Sequence, residues 1–241
     1  MAKISLDVGS LGNRLLDAMP SDVLHNIRPH LELVALAANQ TVHEPGEATE
    51  YVFFPTRGLI SLVAVLDDGE SVEVGMVGKE GLYGVSVFLG DDRPVQRAMV
   101  QLAGSALRIS SRLFQHEVQS NAALQSLLLR YVQVTLTTAI QAAACNRLHK
   151  LEQRFARWLL AAHDRAEAAT FPMTHEFLAM MLGVRRPGVT IAAQSLQADG
   201  VITYNHGTMT IVDRNGLEAA SCECYRFVQG EFARLLGPTR A

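Results

Sequence analysis

The residues best suited to chemistry lie in "THEFLAMMLGVRRPGVTIAAQSL", Thr174 to Leu196. Arg185 and Arg186 stand side by side, and Thr190 and Gln194 follow at helical spacing. A guanidinium can donate two parallel bonds to guanine in the DNA major groove. A carboxamide can pair with adenine, and a hydroxyl can meet a base or a phosphate. Such groups read a duplex only if one helix presents them together. The neighbouring residues predict that helix. Thr174 suits an N-cap, with Glu176 in the first turn. Leu178, Ala179 and Leu182 mark one apolar face. Gly183 ends the helix, because positive φ is cheap only for glycine, and Val184 plugs the turn. A second helix starts at 185–187, where Pro187 is harmless because first-turn amides lack an intrahelical acceptor. Val189, Ala192 and Leu196 face back, leaving Arg185, Arg186, Thr190, Gln194 and Gln197 outward. Two helices crossing at a small residue, Ala179, form a helix-turn-helix. Taken alone, the same pattern also suits a structural αα corner. The segment after Gly200 favours the helix-turn-helix. "GVITYNHGTMTIVD" holds two strand-like runs around Asn205-His206-Gly207, a hairpin signal. That hairpin is a wing, with Asn205 and His206 placed to meet nucleic-acid backbone.

Other elements must carry this unit. Residues 13–36 show helical spacing split at Pro20, with Ser21 as a candidate N-cap. From about Glu32 to Ile109, short runs rich in Val, Ile, Tyr and Phe alternate with turn signals. "GLISLVAVL" and "SVEVGMV" around "DDGE" read as a hairpin, and the whole as a small sandwich or jelly-roll. From Ser111 the pattern is helical, with neither Gly nor Pro from Leu113 to Ala168. Leu124, Leu127, Leu128, Tyr131, Val134 (or Thr135) and Thr138 lie three or four apart, on one helix face. A helix this long outruns a compact domain, so its stripe is expected to meet the same helix in a second copy. Lengthwise packing on its own β-domain is the alternative. "AAACNR" at 142–147 is a candidate break, after which Leu151, Phe155, Trp158 and Leu159 mark another amphipathic helix. Asp213 is placed to cap a last helix over 215–236. The fold class is α+β. It comprises a β-roll sensor domain with N-terminal helices at 1–110, a dimerisation helix and hinge at 111–146, and a winged helix-turn-helix domain at 147–241.

Composition bounds the function. The chain has 241 residues, 49% hydrophobic and 19% charged, which allows a real core and more than one domain. The leading "MAKISLDVGSLG" lacks the apolar core of a signal peptide, and no apolar run is long enough for a bilayer, so a soluble cytoplasmic protein without a membrane partner is expected. Charge is uneven. Residues 1–125 hold nine Lys/Arg against fifteen Asp/Glu, and 126–241 hold twelve against nine. From 171 onward, six arginines meet six carboxylates. That near-neutrality is the feature favouring the rival reading, a ligand-sensing interaction protein whose output is protein contact. Three cysteines are too few for a disulfide framework. Cys222 and Cys224, two apart, would not share a helix face, so no metal set is expected and buried thiols are. No nucleophile–base pair or phosphate loop marks an enzyme; "GMVGKEGLYG" lacks the lysine-serine ending of a P-loop.

With these residues in view, nearly the whole chain resembles the Crp/Fnr superfamily of bacterial transcription regulators. The parts that match are the β-roll, the long helix, "CNRLHKLEQRFARWLL" and the winged "THEFLAMMLGVRRPGVT…LQADGVI". The resemblance implies a homodimer on an inverted-repeat site in double-stranded DNA, each recognition helix in a major groove, with RNA polymerase as a further partner. Arg186 matches the family's usual base-reading arginine, and Thr174 its capping threonine, which can also touch phosphate. The family often has Ser at Arg185, Glu at Pro187 and Arg at Ile191, so a divergent operator is implied. In the sensor, cyclic-nucleotide binders carry Gly-Glu for the ribose and Arg-Ser or Arg-Thr for the phosphate. Here Gly84 precedes Val85, and Arg97 precedes Ala98. Gly84 and Arg97 mark the candidate effector pocket, which Tyr83, Phe88 and Met99 could help to line, but cyclic nucleotide is not the expected ligand. The iron–sulfur branch needs cysteines near the N-terminus, and none precedes Cys145. His25, His30 and His43 are expected to be ordinary surface or loop histidines rather than haem ligands. No cofactor is expected, and the effector stays open.

Overall fold

The computed structural model describes residues 10–166 and 168–237. Most of the leading stretch read for a signal segment lies outside the described residues. Two short helices, α1 (Arg14–Asp17) and α2 (Ser21–Ile27), come first. Ser21 is already helical; Pro20 takes the capping position and offers no side-chain bond.

The β-domain begins at Glu32 and ends at Ser110. Strands β1 (Glu32–Leu36), β2 (Thr41–His43), β3 (Tyr51–Val65), β4 (Ser71–Val77) and β5 (Arg97–Ser110) form one antiparallel sheet. Its order is β1-β5-β3-β4, with β2 also on β5. Register shifts between Pro55 and Ile60 bend β3 along its length, as bulges do. The turn joining β3 to β4 has Gly69 at φ +86, as the hairpin reading requires.

A short helix α3 (Val85–Leu89) lies between β4 and β5. After the sheet come α4 (Ser111–Ser120) and α5 (Ala122–Leu148), divided at Asn121, whose side chain caps α5 by accepting from the Leu124 amide at 2.9 Å. At 1.5 Å per residue, the 27 residues of α5 span about 40 Å. The break expected at 142–147 comes later. The three alanines at 142–144 are strongly helix-forming, and the chain turns extended only at His149 before α6 (Leu151–Ala166).

The C-terminal region has a three-stranded sheet, β6-β8-β7, from β6 (Thr170–Pro172), β7 (Ile202–Asn205) and β8 (Thr208–Ile211). Helices α7 (His175–Leu182) and α8 (Arg186–Ala198) lie between β6 and β7. The single last helix expected over 215–236 is two, α9 (Arg214–Ala220) and α10 (Cys224–Leu236). Asp213 precedes α9 but makes no capping bond.

One core runs from α6 through α7–α9 and reaches Leu59, Val63 and Leu102 of the β-domain; another buries α1, α2, α4 and the inner face of α5 against the sheet. Phe232 of α10 enters that second core, so the last helix returns onto α5 and the N-terminal helices. The Arg14 guanidinium donates to the Phe232 carbonyl at 2.9 Å, holding it there.

Candidate nucleic-acid interface

The helix-turn-helix forms as its local sequence dictates. Thr174 Oγ1 accepts from the Phe177 amide at 3.2 Å. Gly183 takes φ +61, and the Val184 amide reaches back to the Ala179 carbonyl at 2.9 Å, closing α7 with a glycine turn. Arg154 of α6 donates to the Leu182 carbonyl at 2.6 Å, satisfying another end-of-helix acceptor. Leu178, Ala179 and Leu182 are buried, and so are Val189, Ala192 and Leu196 on the facing side of α8.

The opposite face of α8 stands open. Arg185, Arg186, Ile191 and Gln194 are exposed, and neither guanidinium makes a hydrogen bond or ion pair among the described residues. Thr190 is half-buried. Its hydroxyl donates to the Arg186 carbonyl at 3.2 Å and lies 3.0 Å from His175 Nδ1. The His175 ring stacks on Tyr204 of β7 with centroids 4.2 Å apart. Burial, then the nearby Arg186 charge, lowers the His175 pKa below its ordinary value. A neutral ring donating from Nδ1 fits the Thr190 contact. Gln197 differs from the sequence reading. Its Oε1 accepts from the Tyr204 amide at 2.8 Å, so it anchors the wing rather than pointing outward. Asn205 and His206 are exposed at the wing tip, where His206 and Gly207 take φ +46 and +77, the left-handed pair of a tight hairpin. The Met173 amide donates to the Gly207 carbonyl at 2.7 Å, tying the wing to the strand before α7.

The effector position looks different. Gly84 (φ +103) leads into α3 and lines a groove of about 1620 Å³ between the sheet, α5 and α6, with Val85 beside it. Arg97 does not face that groove. Its Nε pairs with Glu44 Oε2 at 2.8 Å, so its charge is met within the chain. Tyr83 lines that groove beside Gly84, as expected, whereas Phe88 and Met99 pack against two separate apolar clusters outside it. His25 and His30 are exposed, but His43 is buried, contrary to expectation, because β2 carries it inward against Tyr83. It lines a second cavity of about 580 Å³.

Two family models match the chain: a cyclic nucleotide-binding domain over residues 33–121 and a Crp-like helix-turn-helix domain over 153–220. This is a Crp/Fnr-type transcriptional regulator. Solved structures of similar fold include FixK2 from Bradyrhizobium japonicum, 15% identical with a TM-score of 0.67, covering 80% of this chain and 98% of that one. A regulator assigned to the crp/fnr family from Eubacterium rectale is 14% identical with a TM-score of 0.68, covering 88% and 99%. The c-di-GMP responsive regulator CLP of Xanthomonas campestris is 19% identical with a TM-score of 0.61, covering 80% and 99%. No curated protein matches by sequence.

The regulator's long helix requires a correction. Leu124, Leu127, Leu128, Tyr131 and Val134 are buried against the protein's own β-domain, and Tyr131 Oη is 3.1 Å from both the amide and the carbonyl of Leu82. Thr138 is half-buried and bonds the Val134 carbonyl. Residues with no surface left cannot face a partner. The outer face instead carries Leu129, Leu136 and Ile140, 57%, 54% and 63% exposed, with Val132 and Ala143 on the same row. Among the described residues of the regulator, no helix is long and apolar enough to cross a membrane.

Proposed function

We propose that the regulator acts as a homodimer on an inverted-repeat site in double-stranded DNA, each α8 entering a major groove. The supporting observation is the open row on α8: two unpaired arginines and a glutamine on a helix whose other face is fully packed. Arg186, in the first turn, reads a base. Arg185, extended just before the helix, meets phosphate or a flanking base, and Asn205 and His206 meet backbone from the wing. Leu129, Val132, Leu136, Ile140 and Ala143 recur at three- and four-residue steps, a seam of coiled-coil type, so a second copy of α5 is its occupant. The sensor controls this unit without cyclic nucleotide, and the protein performs no catalysis. It works in the cytoplasm, with RNA polymerase as a further partner.

Selection of genomic fragments by the purified protein tests the reading. One enriched inverted repeat is expected. Enrichment of no sequence, with capture of a protein partner through the same face of α8, would instead favour the interaction-protein reading that the near-neutral C-terminal domain allows.

A further inference from the structure

Four potential metal ligands meet where α5 ends. Cys145 and His149 lie four residues apart, on one face of the helix end. Cys222 sits in the α9–α10 link and Cys224 opens α10. The two cysteines are therefore not on one helical stretch, as the sequence suggested, and the link lets both thiols turn toward α5. Cys145 Sγ is 3.5 Å from Cys222 Sγ, and Cys224 Sγ is 3.5 Å from His149 Nδ1. All four ligand atoms lie within 4.8 Å of one another, and all three cysteines are buried.

We propose that Cys145, His149, Cys222 and Cys224 bind a single divalent ion of the zinc class in a closed tetrahedral site. Tetrahedral bonds of about 2.3 Å to sulfur and 2.0 Å to nitrogen give ligand–ligand edges of about 3.5–3.8 Å, close to the two short contacts. Three thiolates and one imidazole suit zinc better than calcium or magnesium, which take oxygen ligands. Four protein ligands leave no open position, so the ion is structural. The surroundings fit as well. His149 Nε2, the nitrogen not facing the thiols, lies 3.3 Å from Glu223 Oε1, the carboxylate–histidine arrangement that orients metal-binding imidazoles. Gln141 Nε2 donates to Cys224 Sγ at 3.0 Å.

None of the four residues falls within 33–121 or 153–220, the ranges that the two family models match. The site therefore belongs to the connecting segments. It pins the end of α5 to the start of α10, across the joint between the sensor and the helix-turn-helix. It does not depend on the DNA-binding reading and can be tested without DNA.

The full-length protein, purified under reducing conditions without chelator, should carry about one zinc per protomer by elemental mass spectrometry. After stripping, cobalt(II) should bind at about one equivalent, with the visible bands of a tetrahedral thiolate complex. Cys224→Ser should weaken zinc binding about a hundredfold or more, and Glu223→Gln about tenfold, as losses of a ligand and of its support. Glu223 has a side chain 77% exposed, so that variant should fold even if the cysteine variant does not. Metal-free protein whose thiols stay reduced and give no tetrahedral cobalt spectrum would overturn the proposal. So would a Cys145–Cys222 disulfide persisting in reductant, or zinc affinity unchanged in both variants.

Discussion

The outward row of α8 and the ligand position of the β-roll both offer arginines suited to anionic partners, yet they end in opposite states. On α8 the apolar side is fully packed, while Arg185, Arg186 and Gln194 are left without partners in the chain. In the sensor, Arg97 is bonded to Glu44, and Val85, next to Gly84, has no side-chain group that can hydrogen-bond a ribose. An unpaired guanidinium on a rigid helix is available for recognition. One already held by a carboxylate must give up that bond before it can meet a phosphate. The contrast is the ground for proposing recognition at α8 and divergence in the sensor. The same distinction separates the two faces of α5, the inner one packed and the outer one bare.

The two faces of α5 give the largest expected effect. Leu136→Lys with Ile140→Lys places charges in the outer row and should leave a monomer by sedimentation at micromolar concentration, with operator binding lowered about a hundredfold or more as the paired half-sites are lost. Leu128→Ala opens a cavity in the inner core and should cost about 2–5 kcal/mol in denaturant unfolding while the dimer persists. The reverse pattern would place the partner on the inner face.

The joint between the sensor and α6 comes next. Glu73 of β4 accepts from Trp158 Nε1 at 2.8 Å and from Ser61 Oγ at 2.6 Å, and burial raises its carboxyl pKa to about 7. An unfolded glutamate titrates near 4.5. Between those values the folded state holds the extra proton, so stability is highest below about pH 4.5 from this group and falls as pH rises to about 7, by up to about 3 kcal/mol. Glu73→Gln should flatten that segment of the stability profile. An unchanged slope in the variant would show that another group carries it.

Arg186 sharpens the comparison directly. Arg186→Ala should weaken the true site by about 1–3 kcal/mol and leave binding to scrambled duplex nearly unchanged. Arg185→Ala, if the residue touches phosphate, should weaken both and reduce the salt slope by about one. Titrations of both variants at several salt concentrations separate the roles. Full sequence preference in Arg186→Ala would remove α8 as the reader.

The range of the forces involved decides how much of this was legible in the sequence. The helix-turn-helix is encoded locally: the cap at Thr174, the positive φ at Gly183 and the inward trio on α8 need no distant partner, and all appear as the sequence implies. The orientation of α5 was not legible. Its sequence is apolar on two sides, and periodicity cannot tell which stripe meets the β-domain and which meets a second copy. Arg97 pairs with a residue 53 positions away, and Cys145 meets Cys222 across 77, contacts that only the tertiary return of the chain creates. Gln197 looked free because its partner is a backbone amide of the wing, which a side-chain pattern does not reveal.

The smallest effect is expected where the sensor meets cyclic nucleotide. Val85 offers no acceptor to ribose hydroxyls, Ala98 offers no hydroxyl to phosphate, and Arg97 is engaged with Glu44. A nucleotide entering the groove at Gly84 would not meet Arg97, which lies outside it in an ion pair with Glu44 roughly 40% exposed on both sides, and Val85 offers nothing to hold its sugar. Calorimetry with cyclic AMP and cyclic GMP should show no saturable heat, and operator affinity should be the same with and without either. Glu44→Gln makes the test stricter, since it releases Arg97. If the ribose contact is the decisive loss, the variant should stay silent too. Binding in the variant alone would mean that the Glu44 pair is what closes the site. Binding in the unaltered protein that changes operator affinity would return the sensor to cyclic-nucleotide control and end the contrast with α8.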